Sequence, residues 1–290
     1  MMRVGYRSLA VIAALAGCHV LTLTLRWRAA LRSLGEEPRF LSLLGDLMVG
    51  AAYNSVLPST VGGDVARAYR CATRVNHPPA AVASIALERI IGFLCLSIVP
   101  FFGLLLGQRD APAIFLTVSF AATVAFGALL ALLHVPLAFL SRIIEPVAPR
   151  IAVFVGETAA DLRAVHAKGR LVVAGWSMVY QALSMAFFLI VASSWQEPVP
   201  TRAVLIGVPI AMILSSLPVT IGGIGLRESL FVAVLGKLGL PGGQALLMAS
   251  VWGIEWLVLA IVGAVLVAAT RLTRPKIASE RGPSSPSTSL

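Results

Sequence analysis

Apolar residues run in long blocks separated by short basic gaps, at 8–25, 40–57, 80–106, 112–140, 171–193, 203–217 and 245–269. These blocks have neither the period-two alternation of a half-buried strand nor the narrow stripe of a soluble helix. A helix crosses the hydrocarbon core with about 20 apolar residues. In lipid every backbone polar group must also be satisfied within the chain, so the blocks predict helices. Unbroken apolar runs exclude a β-barrel, whose strands would alternate. The expected fold class is an all-α polytopic membrane protein. The run 203–217 is short for a span. In the first run, Leu15-Ala16-Gly17-Cys18 looks like a bacterial lipoprotein cleavage box. That run continues through Val20 to Leu25, where a processed lipoprotein would turn polar, so a spanning helix is expected.

Two of the runs stop at clusters of helix breakers that are nearly the same. Leu57-Pro58-Ser59-Thr60-Val61-Gly62-Gly63 and Leu217-Pro218-Val219-Thr220-Ile221-Gly222-Gly223 agree at five positions, with Val for Ile at a sixth. Arg67 and Arg227 stand equally far beyond their glycine pairs. Helix ends at a membrane surface also collect Pro and Gly, but two copies in register point to an internal repeat with a binding site at its interrupted helices.

Composition agrees with a membrane chain. Hydrophobic residues make up 58% and charged residues 12% of the 290, and mean hydropathy is +0.90. The net charge of +10 sits in the gaps, where it reads as a topology signal rather than a nucleic-acid surface. Stretches 26–39 and 67–74 are both basic, which puts both ends of the first breaker segment on the cytoplasmic side. The loop 194–200 has no basic residue and the turn 238–243 is sparsely charged, so both ends of the second belong outside. The two segments are thus expected to enter from opposite faces, as re-entrant hairpins of an inverted repeat. A plain span for 40–57 is the alternative, because the limb 64–77 is highly charged. The expected organisation is one transmembrane domain, 1–269, with repeat halves at about 26–140 and 171–269. A cytoplasmic amphipathic linker, 141–170, joins them, and a disordered cytoplasmic tail follows at 270–290. Cys18, Cys71 and Cys95 and four scattered histidines carry no disulfide or metal spacing, so no cofactor or metal is expected.

A broken helix exposes free N–H groups and a positive dipole end after each glycine pair, which suits an anion. The predicted substrate-binding residues are Asn54, Thr60, Gly62, Gly63, Asp64, Arg67 and Arg70 in the first segment. Thr220, Gly222, Gly223, Arg227 and Glu228 are their counterparts in the second. Arginine offers a fork matched to phosphate, and glycine lets backbone approach a ligand. Glu88, Arg89 and Glu255 are costly near lipid, and are expected either to gate or to form interhelical ion pairs. Asp46 and Asn54 share a helical face leading to the first breaker.

Asn54, the block 57–69, Glu88-Arg89-Ile90-Ile91-Gly92 and the block 217–228 resemble the flippase-like integral membrane family that contains the transmembrane region of lysylphosphatidylglycerol synthase. The likeness covers roughly 25–269. It implies a bundle with re-entrant helices and movement of a modified phospholipid between leaflets. Full synthases carry a soluble aminoacyl-transferase domain after the membrane region. This chain has a Ser/Pro-rich stretch there, so lipid aminoacylation is not expected.

The expected function is a lipid flippase or transporter that binds an anionic phospholipid or polyprenyl-phosphate head group between the two loops. Its partners would be membrane lipids and a lipid or glycan synthase, with no nucleic acid. It is expected in a bacterial inner membrane with a cytoplasmic C-terminus. No P-loop is present, so energy would come from an ion or lipid gradient. No catalytic motif was found, and a non-enzyme is expected. The alternatives are a membrane-embedded glycosyl or phosphoryl transferase, and a helper subunit without transport of its own.

Overall fold

A computed structural model describes residues 6–56, 61–106, 112–195, 197–216 and 225–272. The described residues form eleven α-helices and no strand: α1 (Tyr6–Ser33), α2 (Phe40–Val56), α3 (Val61–Ala72), α4 (Pro78–Leu105), α5 (Ala113–Leu132), α6 (His134–Ile144), α7 (Pro149–Ala164), α8 (Ala167–Ser193), α9 (Val208–Ser215), α10 (Leu226–Gly236) and α11 (Gly242–Leu272). Five of them, α1, α4, α5, α8 and α11, are long and apolar enough to cross a membrane. The protein is a multi-pass helical membrane protein.

Two expected boundaries move for the same reason, a proline inside an apolar run. The run 112–140 is two helices, because Pro136 has no N–H for the carbonyl of Leu132 and the ladder breaks between α5 and α6. The run 203–217 opens with a π-helical turn, Ala203–Gly207, in which the Val208 N–H reaches back to the Ala203 carbonyl. Pro209 follows at the start of α9 and cannot complete an ordinary α ladder there. Conversely, α1 runs on past Leu25 to Ser33, because arginines do not stop a helix.

The packing pairs α1 with α8, α2 with α11, and α4 with the π turn and α9. Helices α2 and α3 fold back on each other as a hairpin, and so do α9 and α10. Each hairpin is clasped at its base. Glu36, ahead of α2, accepts the backbone N–H of Asn76 at 3.2 Å and of His77 at 2.9 Å, both just after α3. Arg202, ahead of the π turn, donates through Nε to the Leu238 carbonyl at 3.2 Å, just after α10. A chain that leaves and returns to one clasp has both hairpin ends at the same level. The two clasps lie at opposite ends of α8. Its Gly169 packs against Ser33, three residues before Glu36, and its 27 residues rise about 40 Å toward Arg202.

The limbs of the first hairpin touch at Gly50 and Gly63. A Cβ built on Gly50 would stand 2.9 Å from the Gly63 carbonyl oxygen, and one on Gly63 would overlap the Gly50 carbonyl. Only glycine permits that approach. The second hairpin rests instead on rings and aliphatic chains, where Phe231 of α10 is fully buried against Phe188 and Trp252.

Candidate functional site

Polar side chains reach the interior of the bundle mainly from four helices. Arg26 comes from α1, Asp64 and Arg67 from α3, Glu88 and Arg89 from α4, and Tyr180 and Gln181 from α8. Arg26 donates to Glu88 Oε1 at 2.6 Å, and Arg67 to Glu88 Oε2 at 3.1 Å. Arg67 also donates to Asp64 Oδ1 at 3.0 Å. Arg89 closes the chain with a two-pronged grip on Asp64, Nε to Oδ2 and Nη2 to Oδ1, both 2.9 Å. The order is Arg89–Asp64–Arg67–Glu88–Arg26, three cations against two anions, so one positive charge is left over. Glu88 is 1% exposed, Arg67 3% and Arg26 5%. Aromatic faces take part of the cationic burden: Arg67 lies over Trp27 at 4.9 Å and Arg26 over Tyr180 at 5.3 Å. Gly92 leaves room for Arg26, since a Cβ there would stand 2.9 Å from Nη1.

This chain of charges lines a cavity of about 130 Å³. The cavity touches the described edges of both breaker segments. Asn54, Gly63 and Asp64 border it from the first, and Met212 and Ser216 from the second. Trp252 and Trp256 of α11 form an aromatic wall. Gln181 donates to the Gly92 carbonyl at 3.3 Å while its own Oε1 is buried without a hydrogen-bond partner among the described residues.

The predicted site residues divide into three groups. Asn54, Gly63, Asp64, Arg67, Glu88 and Arg89 meet at the cavity. Asn54 has a specific task there, because its Oδ1 accepts the Gly63 N–H at 2.7 Å and so satisfies one of the free donors at the start of α3. Gly62 lies in the first turn of α3 but does not line the cavity. Arg70 turns away: with Arg74 it holds Asp46, at 2.6 and 2.5 Å, and Asp46 has no exposure. Arg227 and Glu228 pair with each other at 2.6 Å beside the cavity wall, and Arg227 stacks on Trp252 at 5.8 Å. Glu228 also accepts the Gly225 N–H at 2.7 Å, where Gly225 has φ +86°. Thr60, Thr220, Gly222 and Gly223 lie outside the described residues, as do the tail from 273 and the turn 107–111.

Several cavity residues were not predicted. Arg26 sits at the end of an apolar run, where the positive-inside rule explains a basic residue without any site. Tyr180, Gln181, Trp252 and Trp256 sit within spanning helices and carry no motif. His19 is not scattered: its Nδ1 lies 2.7 Å from Oε1 of Glu255 on α11. Among the described residues no group of three metal-ligating side chains converges.

The family model for the lysylphosphatidylglycerol synthase TM region matches residues 1–263. The chain belongs to this family. That membership relates it to the modification or translocation of membrane lipids, and the match ends within α11. No curated protein and no solved structure matches it.

Proposed function

We propose that this family member binds the phosphate of an anionic lipid, a phospholipid or a polyprenyl phosphate, in the cavity between the two hairpin tips and assists its passage across the bilayer. The observation that carries this reading is the unbalanced charge: three guanidinium groups against two carboxylates along a cavity lined by Asn54 and Gly63 from the first hairpin and by Met212 and Ser216 from the second. A charge buried in a membrane protein is expensive unless paired, and an anionic ligand would complete the pairing. The cavity, about 130 Å³, has room for a phosphate group, with the acyl or prenyl chain left in lipid.

The inverted repeat is part of this reading. Its support is the pair of clasps at opposite ends of α8 and the exchange of partners between halves, α2 with α11 answering α4 with α9. The bacterial inner membrane and the cytoplasmic C-terminus rest on the distribution of basic residues. The rival lipid-modifying enzyme needs a free general base or nucleophile. Asp64 and Glu88, the cavity's two carboxylates, are each held by two arginines, which favours transport. A synthase partner remains part of the proposal, and copurification would reveal it.

The test is transport of fluorescent phosphatidylglycerol and of polyprenyl phosphate in proteoliposomes carrying the full chain. Arg89→Ala and Arg227→Ala are expected to slow movement of at least one of these lipids about tenfold or more, the effect of losing ~1.4 kcal/mol of binding. Wild-type rates in both variants would remove the mechanism.

A further inference from the structure

His19 and Glu255 are buried titratable groups that lipid binding does not use. His19 lies well inside the spanning segment Ala10–Ser33 of α1, and Glu255 near the middle of Gly242–Ala269 of α11. Their side chains are 6% and 8% exposed. The hydrogen bonds around them limit where protons can be. The Ser184 hydroxyl donates to the Tyr180 carbonyl at 2.9 Å, so toward His19 Nε2, 3.4 Å away, it presents only its oxygen. With the hydroxyl hydrogen placed on that carbonyl, the ring hydrogen is assigned to Nε2. The 2.7 Å contact between Nδ1 and Oε1 then requires a second proton between them, since two lone pairs would repel. Imidazolium with carboxylate, or imidazole with carboxylic acid, are both neutral overall. Glu255 Oε2 is buried and has no hydrogen-bond partner among the described residues.

We propose that the His19–Glu255 pair is a proton-binding site in the membrane interior, coupled to the cavity through Tyr180. A proton taken up at Oε2 forms an O–H bond and takes the pair from neutral to one positive charge, and its release to the other side restores neutrality. No electrons move. The coupling is electrostatic. The Tyr180 ring stands 5.2 Å from His19 and carries Arg26 on its face at 5.3 Å, and Tyr180 lines the cavity. An anion bound to the excess arginine charge lowers the cost of a new positive charge one ring away, and by linkage a bound proton raises anion affinity equally. Anionic lipid and proton therefore load together.

The groups facing the pair are few. From α1 they are His19 and, two turns on, Arg26; from α8, Tyr180; from α11, Glu255 itself. Helix α2 brings the apolar Leu44, Leu47 and Met48 to the cluster around Tyr180, its Asp46 being held by Arg70 and Arg74. Glu88 and Arg89 of α4 lie beyond Arg26, already paired.

This coupling rests on the lipid reading above, but proton binding does not, and two measurements separate them. Infrared difference spectra of the purified full chain across a pH titration read Glu255 directly. A buried carboxylic acid C=O band that appears on acidification in wild type, vanishes in Glu255→Gln and shifts in His19→Gln supports the site. The same spectrum in wild type and Glu255→Gln overturns it. In proteoliposomes with fluorescent phosphatidylglycerol, one coupled proton makes a one-unit pH difference worth about a tenfold lipid ratio between leaflets. Glu255→Gln should move lipid with a ratio of about one. A variant that keeps the tenfold ratio overturns the coupling. A wild type that has the band and moves no lipid contradicts the lipid reading while the proton site stands.

Discussion

Arg67 and Arg227 hold the same place after their glycine pairs, and they are held in different ways. Arg67 is 3% exposed, bonded to a carboxylate of its own helix and one of α4, and stacked on a tryptophan of α1. Arg227 has one carboxylate, that of the next residue, and the face of Trp252. The first hairpin is thus tied to α1 and α4 by charge. The second is kept in place by Phe231, Phe188 and Trp252. The two equivalent arginines have thus been put to two structural uses, and among the described residues the paired interior charge gathers at the first hairpin.

The sharpest way to break this comparison is to remove one carboxylate from each hairpin's surroundings. Glu88→Ala strands Arg26 and Arg67 in the interior and should destabilise the protein by about 3–5 kcal/mol. Glu228→Gln loosens a partly exposed pair and should cost at most about 1 kcal/mol. Thermal unfolding in detergent, followed by circular dichroism, measures both. Equal losses would mean that the two hairpins are anchored alike.

Glycine contacts sharpen the same contrast. Gly63→Ala forces the two limbs of the first hairpin apart and should cost about 1–3 kcal/mol, the usual penalty for overpacking. At Gly225 no described residue crowds an added Cβ, and the φ of +86° resists it, so Gly225→Ala should cost about 1–3 kcal/mol. Asn54→Ala removes the cap from α3 and should cost about 1 kcal/mol. Unfolding midpoints would rank the three.

The smallest effect lies outside the membrane spans, at the clasp of the first hairpin, where Asp161 of α7 meets His77 at 3.2 Å. Burial holds the Asp161 carboxyl above its ordinary value in spite of His77. A carboxylate with a raised folded pKa stabilises in its protonated form, and that contribution is lost as pH rises through the folded value. Asp161→Asn should therefore be no less stable than wild type at neutral pH. The difference should shrink as pH falls toward the ordinary carboxylate range, a shift of a degree or so in melting temperature at most.

The spans could be read from apolar run length because lipid imposes that length. The hairpins could be anticipated from breaker clusters because Pro and Gly act locally. What could not be read was partnership. Nothing near Arg26 in the sequence tells whether it faces water as a topology signal or Glu88, 62 positions away. The same holds for His19 and Glu255, separated by 236 positions, and for the tryptophans of the cavity wall. Arg70 shows the opposite error: it shares a helix face with Arg67, yet it meets Asp46. Helical spacing places residues on faces, and only packing decides what each face meets.

The proposed lipid path requires the two hairpin tips to share one cavity within the bilayer. With Cys18, Cys71 and Cys95 replaced by serine, Asn54→Cys and Ser216→Cys place one thiol at the edge of each tip. Treatment of native membranes with a short bifunctional thiol reagent should join them within one chain, and bound anionic lipid should slow the reaction. Failure to cross-link, with both thiols reactive to a water-soluble reagent, would put the tips apart and contradict the shared cavity.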